Sequence, residues 1–182
     1  MGLRGFRRTI TALQLQKESK KLIQPIPKVD LGLKIRELAT SSIDLSDGLS
    51  SDLRHLILAS FSGNSDKICV ELYFEEMLKC LSQNMLNWFA GEKDNLDLVM
   101  LALQSGDEYE LCFSAPVDAR TKIREIGKNL NLPLSLIGSV RERSSEKNFN
   151  FANDRNDGLL WLKSLTNTFD NIFVEKSGYV HF

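Results

Sequence analysis

Apolar residues in this chain change their spacing from one segment to the next, and that alternation narrows the fold more than any other feature. Leu49, Leu53, Leu56 and Ile57 recur at helical intervals, whereas Ile68, Val70 and Leu72 alternate with Cys69, Glu71 and Tyr73, as a strand with one wet face does. The same reading predicts a short helix over Leu31 to Leu38 and a strand ending at Asp44. A helix from Asp47 to Phe61 then stops in Ser62-Gly63-Asn64-Ser65. Met77, Leu78, Leu81, Met85 and Leu86 predict one helix from Glu75 to Trp88; Gly91 to Asn95 interrupts it, and Leu96 to Leu103 is helical again. Leu111 to Ala115 reads as a strand, Val117 to Leu130 as a helix, and Leu134 to Val140 as a strand that Gly138 ends. Residues 141–158, rich in Asn, Ser and charge, read as a surface loop, and Leu159 to Phe173 fits helix or strand equally. Strands interleaved with several long helices predict an α+β fold, a mixed β-sheet covered by helices.

The first 22 residues differ in kind. Arg4, Arg7, Arg8, Lys17, Lys20 and Lys21 stand against a single acid, Glu18, while Leu3, Phe6, Ile10 and Leu13 share one helical face. A basic amphipathic helix of this sort suits a presequence, a membrane surface or packing against a partner domain, and packing is the preferred reading. Pro25 and Pro27 then force an extended connection, so residues 1–28 are taken as helix and linker and 29–182 as one domain. A chain of 182 residues with 42% hydrophobic content can bury a core, and its net charge of −1 points to no polyanion partner. No apolar run approaches the roughly 18 to 20 residues of a membrane span. Three dispersed cysteines (Cys69, Cys80, Cys112) and two histidines argue against disulfides and zinc. A reduced, cytoplasmic setting is expected.

Chemistry concentrates in Ile43-Asp44-Leu45-Ser46-Asp47-Gly48-Leu49, where two carboxylates and a hydroxyl precede a helix start. The first helical turn leaves backbone N–H groups unpaired, which attracts phosphate; Ser46 or Asp47 could cap it, and Gly48 would let a ligand approach closely. Asp44 and Asp47 could together hold a hard divalent cation such as Mg²⁺, which takes one or two protein carboxylates and completes its shell with water and phosphate oxygens. The plainer reading is a turn with an N-cap. A second acidic segment, Ser105-Gly106-Asp107-Glu108-Tyr109-Glu110-Leu111, carries three acids in four residues, which calls for a compensating cation or a solvated turn.

Five fragments in order carry a resemblance: Pro25-x-Pro27-Lys28-Val29 with Gly32; Ile43 to Leu49 with Asp52-Leu53; Tyr109-Glu110-Leu111-Cys112-Phe113; Ile137-Gly138; and Gly178-Tyr179-x-His181-Phe182. From about Leu22 to Phe182 the chain resembles the C-terminal half of thiamine-monophosphate kinase, within the superfamily that includes the selenophosphate and aminoimidazole ribonucleotide synthetases. The resemblance implies the superfamily's α+β C-terminal domain and transfer of the γ-phosphoryl of ATP to thiamine monophosphate. It implies Mg²⁺ on Asp44 and Asp47, a nucleotide contact at Ser46 and a substrate contact at Tyr179. The family reads Gly-Gly-Glu-Asp-Tyr-Glu-Leu where this chain has Ser105 to Leu111, so the substrate-facing acid is Asp107, one methylene shorter, or Glu108 after a small shift. No residue is expected as a covalent nucleophile or general base. The family's N-terminal ATP-binding domain has no counterpart here. The chain is therefore expected to be a kinase whose other half is supplied by a separate chain, or is simply missing from this sequence, working with that half or as a homodimer; to be a non-catalytic module that binds thiamine phosphate, a metal or a partner; or to be a decaying gene product that still folds.

Overall fold

The computed structural model describes residues 24–61, 67–91, 94–106, 108–142, 159–166 and 172–174. The basic segment 1–22, residues 143–158 of the expected loop 141–158 and the terminal Gly178 to Phe182 lie outside these.

The strand pattern at Ile68 is the organising one. Strand β2 (Ile68–Tyr73) turns Val70 and Leu72 into the core, and its alternate residue Glu71 pairs with Arg141 at 2.9 Å and Lys163 at 3.6 Å on the strands to either side. Those strands are β4 (Gly138–Glu142), antiparallel to β2, and β5 (Leu160–Lys163), parallel to it; β6 (Ile172–Phe173) then runs antiparallel to β5. The order β4-β2-β5-β6 makes a mixed sheet. Its apolar face, with Val70, Leu72, Leu160 and Leu162, joins one hydrophobic cluster with Leu49, Leu53, Leu56, Ile57, Met77, Val99 and Leu103 from the helices. Each such aliphatic side chain contributes roughly 1.5–3 kcal/mol by leaving water.

The helices are α1 (Val29–Ile35), α2 (Leu49–Ser60), α3 (Phe74–Cys80), α4 (Gln83–Trp88), α5 (Asn95–Gln104) and α6 (Arg120–Asn129), the last entered through a 3-10 turn at Val117–Ala119. Asp94 caps α5 by accepting from Asp97 N at 2.8 Å. A second, two-stranded antiparallel sheet pairs β1 (Ser41–Asp44) with β3 (Leu111–Ser114), in the register Asp44 to Leu111. The expected α+β architecture, a mixed sheet with helices packed on it, is the one observed.

Three expectations change. The helix placed over Glu75 to Trp88 is two helices, because Leu81 is extended and the Ser82 carbonyl starts a new ladder by accepting from Leu86 N. Gly138 begins β4 rather than ending a strand; a Cβ there would stand 2.4 Å from the Glu71 carbonyl oxygen, so a glycine is what lets the two backbones meet. Arg141 and Glu142, assigned to the loop, belong to β4, and the ambiguous stretch Leu159 to Phe173 holds strands β5 and β6.

Candidate functional site

The turn between β1 and α2 is built backbone first. Gly48 has φ of +104°, a conformation costly for any residue with a side chain, and a Cβ would lie 3.1 Å from the Gln104 carbonyl carbon and oxygen. The group that comes close to Gly48 on its Cβ side is thus the backbone at the end of α5. Neither Ser46 nor Asp47 caps the helix: α2 starts at Leu49, with Gly48 at the capping position and no side-chain cap.

Asp52 does the holding instead. From the first turn of α2 its carboxylate folds back, and Oδ2 accepts from Ser46 N at 2.9 Å and Asp47 N at 3.0 Å. The residue is only 2% exposed. Two donors that an anion could have used are thereby taken by a buried carboxylate. Ser46, half-buried, donates its hydroxyl to Asp47 Oδ1 at 3.4 Å, a long contact.

Both acidic segments meet at this turn. Leu45 N donates to the Glu110 carbonyl at 2.9 Å and Tyr109 N donates to the Leu45 carbonyl at 2.7 Å, extending the β1–β3 ladder past Asp44. Tyr109 holds φ of +50°, a left-handed conformation rare outside glycine, at the bend that delivers the segment. The expected compensating cation is partly internal, since Lys28 Nζ stands 3.4 Å from Glu110 Oε2. Glu108 is exposed.

Asp47, Asp52 and His55 bring one potential ligand atom each to within 4.8 Å of one another. Asp44, exposed at the end of β1, is not a member of that group. Asp107 and Tyr179 lie outside the described residues, as does His181. Sequence reasoning missed the part played by Asp52 and the nearness of His55. The available signal was spacing: Asp52 and His55 are three apart on a helix and so share a face. Beneath the turn, burial first and the charge of Asp52 second push the Cys112 thiol up to about 11, which removes it as a nucleophile near neutral pH.

Fold and site together define an α+β domain that presents carboxylates at a strand-to-helix turn, with a second acidic segment laid beside it. No family model matches the chain. It is 33% identical over 154 residues to the thiamine-monophosphate kinase of Buchnera aphidicola subsp. Acyrthosiphon pisum, covering 83% of this chain and 42% of that protein. The Haemophilus influenzae thiamine-monophosphate kinase is 31% identical over 132 residues, 72% of this chain and 37% of its own length. Among solved structures, thiamine-monophosphate kinase from Stenotrophomonas maltophilia K279a superposes with a TM-score of 0.54 at 28% identity, covering 75% of this chain and 40% of that one. The structure of AaThiL complexed with AMPPCP and TMP covers 99% of this chain and 45% of its own, with a TM-score of 0.63; at 23% identity that likeness speaks for the fold. The chain belongs with the thiamine-monophosphate kinases, as the counterpart of their C-terminal part. It spans less than half the length of these curated relatives. Among the described residues no helix is long and apolar enough to cross a membrane.

Proposed function

We propose that the chain forms the C-terminal portion of a thiamine-phosphate kinase site, in which the acceptor phosphate of thiamine monophosphate attacks the γ-phosphorus of ATP. A bond forms from the acceptor oxygen to that phosphorus, the bridging bond to the β-phosphate breaks, and thiamine diphosphate and ADP result. The observation that carries this reading is the convergence of the 44–47 turn and the 105–110 segment on the Leu45 backbone, in a chain related to these kinases along most of its length.

The residue types suit the chemistry. A phosphate monoester has its second pKa near 6, so the attacking oxygen is largely ionised at neutral pH and no general base is required. Repulsion between two polyanions is the obstacle. A bound divalent cation would supply charge neutralisation between them. Asp47 and Asp44 offer the hard oxygen donors that Mg²⁺ prefers, whereas the His55 nitrogen is a poor ligand for it. Asp52, with one oxygen committed to two N–H groups, orients Asp47 by its own backbone. Ser46 would touch the nucleotide. Asp107 or Glu108 would face the cationic thiazolium, and Tyr179 would stack on a ring. The remaining ATP contacts would come from an N-terminal half, whether joined to this chain or separate from it, or from a dimer partner, in a cytoplasmic setting.

Calorimetric titration of the chain with thiamine monophosphate tests this directly. Heat that requires Mg²⁺ and falls at least tenfold in affinity with Asp47→Asn is expected. Silence from the wild-type chain, with and without Mg²⁺ and an ATP analogue, would reject the reading. Binding without turnover after an N-terminal half is added would leave a non-catalytic module, the second reading. Asp107→Glu should hold or improve affinity if Asp107 is the contact, and Glu108→Gln should weaken it if Glu108 is.

A further inference from the structure

The Pro25-x-Pro27-Lys28 fragment, which the phosphoryl-transfer chemistry leaves unused, enters the fold beside the second acidic segment. Each proline disfavours the helical range for the residue before it, and no helix forms until Val29. Residues 24–27 are all exposed, and Lys28 is the first of this approach to be half-buried. Its two ends do different things. The Lys28 carbonyl accepts from Gly32 N at 2.9 Å and so opens α1, which is seated through buried Leu31 and Ile35. The Lys28 ammonium stands 3.4 Å from Glu110 Oε2, with the two side chains 20% and 39% exposed. Glu110 in turn accepts from Leu45 N at 2.9 Å through its own carbonyl, while Tyr109 N donates to the Leu45 carbonyl at 2.7 Å. One lysine thus links the root of α1 to the stretch that lies on the acidic turn.

An ion pair this exposed adds little to global stability, because solvent screens it and the ordering of two long side chains offsets much of the attraction. Its effect is local. Tyr109, at φ of +50°, is the bend that turns the chain from exposed Glu108 onto the ladder, and Glu110 is the next residue. A tether on Glu110 therefore acts where the bend would otherwise swing. The ammonium also offsets negative charge where two acidic segments adjoin, since Asp44 is the register partner of Leu111, immediately after Glu110. We propose that Lys28 is a positioning residue for the second acidic segment. By holding Glu110 it fixes residues 108–110 against the 44–47 turn, and so sets where Glu108 stands relative to Asp44 and Asp47. The consequence for ligand binding rests on the functional reading given above; the anchoring does not.

Amide hydrogen exchange of the full chain tests the anchoring without any ligand. In Lys28→Met, the amides of Leu45 and Tyr109 should exchange at least fivefold faster while those of β2 and β5 change less than twofold. Unchanged exchange at Leu45 and Tyr109, or equal acceleration everywhere, would overturn the proposal. Should Lys28→Met fail to fold, Glu110→Gln carries the same test by opening the pair from its other side. Lys28→Arg keeps the cation and should stay within twofold of wild type; a loss as large as that of Lys28→Met would show that charge is not what holds the segment. Mg²⁺-dependent affinity for thiamine monophosphate then tests the consequence. Lys28→Met and Glu110→Gln should each weaken it at least fivefold, and the double variant no further than either. Additive losses, or full affinity in Lys28→Met, would refute action through the pair. If the wild-type chain binds no thiamine monophosphate, the functional reading fails and takes the consequence for ligand with it, while exchange still decides the anchor.

Discussion

Replacing Asp52 by alanine should destabilise the protein more than replacing any other acid at the turn, although neighbouring Asp47 looks the more functional residue in the sequence. Asp52 Oδ2 accepts from Ser46 N at 2.9 Å and Asp47 N at 3.0 Å from a position 2% exposed. Hydrogen bonds to a charged acceptor contribute roughly 1.5–3 kcal/mol each, and removing the acceptor leaves two donors to find water. Both donors belong to half-buried residues, so partial rehydration trims the sum to about 2–4 kcal/mol for Asp52→Ala. Asp52→Asn keeps an acceptor oxygen and should cost about 1–2 kcal/mol. Urea unfolding with linear extrapolation reads this out; at a slope of about 2 kcal/mol per molar, Asp52→Ala should move the midpoint down by about 1–2 M. Asp47→Ala, which loses a long contact from the Ser46 hydroxyl at a half-buried position, should stay within about 1 kcal/mol of wild type. A midpoint for Asp52→Ala indistinguishable from wild type, or a larger loss for Asp47→Ala, would show that the turn is not held this way.

Glu75 should make stability depend on pH in acid. Burial pushes its pKa up, but donors from Leu165, Thr166 and Ser164 outweigh that and bring it from 4.5 down to about 2. A depressed folded pKa contributes stability above pH 4.5 that is lost as pH falls toward 2, so the wild-type advantage over Glu75→Gln should shrink across that window. Solvent screening keeps the advantage to about 1 kcal/mol or less, and a difference constant from pH 7 to 3 would contradict the assignment. Gly138→Ala places a Cβ 2.4 Å from the Glu71 carbonyl oxygen and should cost about 1–3 kcal/mol in thermal or urea unfolding, with a neutral result refuting the close approach. In timed alkylation at pH 8, exposed Cys80 should react at least about a hundredfold faster than Cys112, whose thiol is pushed up to about 11. Comparable rates measured by mass spectrometry would show that Cys112 is neither buried nor electrostatically suppressed.

Period-two patterning at β2 was legible because its two faces meet different surroundings, Val70 and Leu72 in the core and Glu71 between two cations. The break at Leu81 and Ser82 was not, since the apolar spacing of Met77, Leu78, Leu81, Met85 and Leu86 runs straight through it. Gly138 was read as a stop signal because glycine punctuates; only the nearness of Glu71 gives it the opposite meaning. Residues 160–163 and 172–173 stayed ambiguous for a related reason: short buried apolar runs carry no periodicity that separates helix from strand. At the site, Asp44, Ser46 and Asp47 stood out as polar residues at a predicted helix start, and the structure puts that turn beside the second acidic segment. Asp52 helps to carry the family resemblance, but its role did not stand out. Between Leu49 and Leu53 it looks like any polar position of an amphipathic helix, and its importance comes from a carboxylate folding back over a turn that composition cannot show.

The parallel pairing of β2 with β5 has a consequence for how the chain is made. Val70 lies beside Leu160, some ninety positions later, so the middle of the sheet stays open until those ninety residues have been made. During that interval one edge of β2 offers unpaired amides and carbonyls beside an apolar surface, the kind of template that recruits strands from other chains. Long-range closure of this sort is also slow. That edge of β2 is covered only when residues 160–163 arrive.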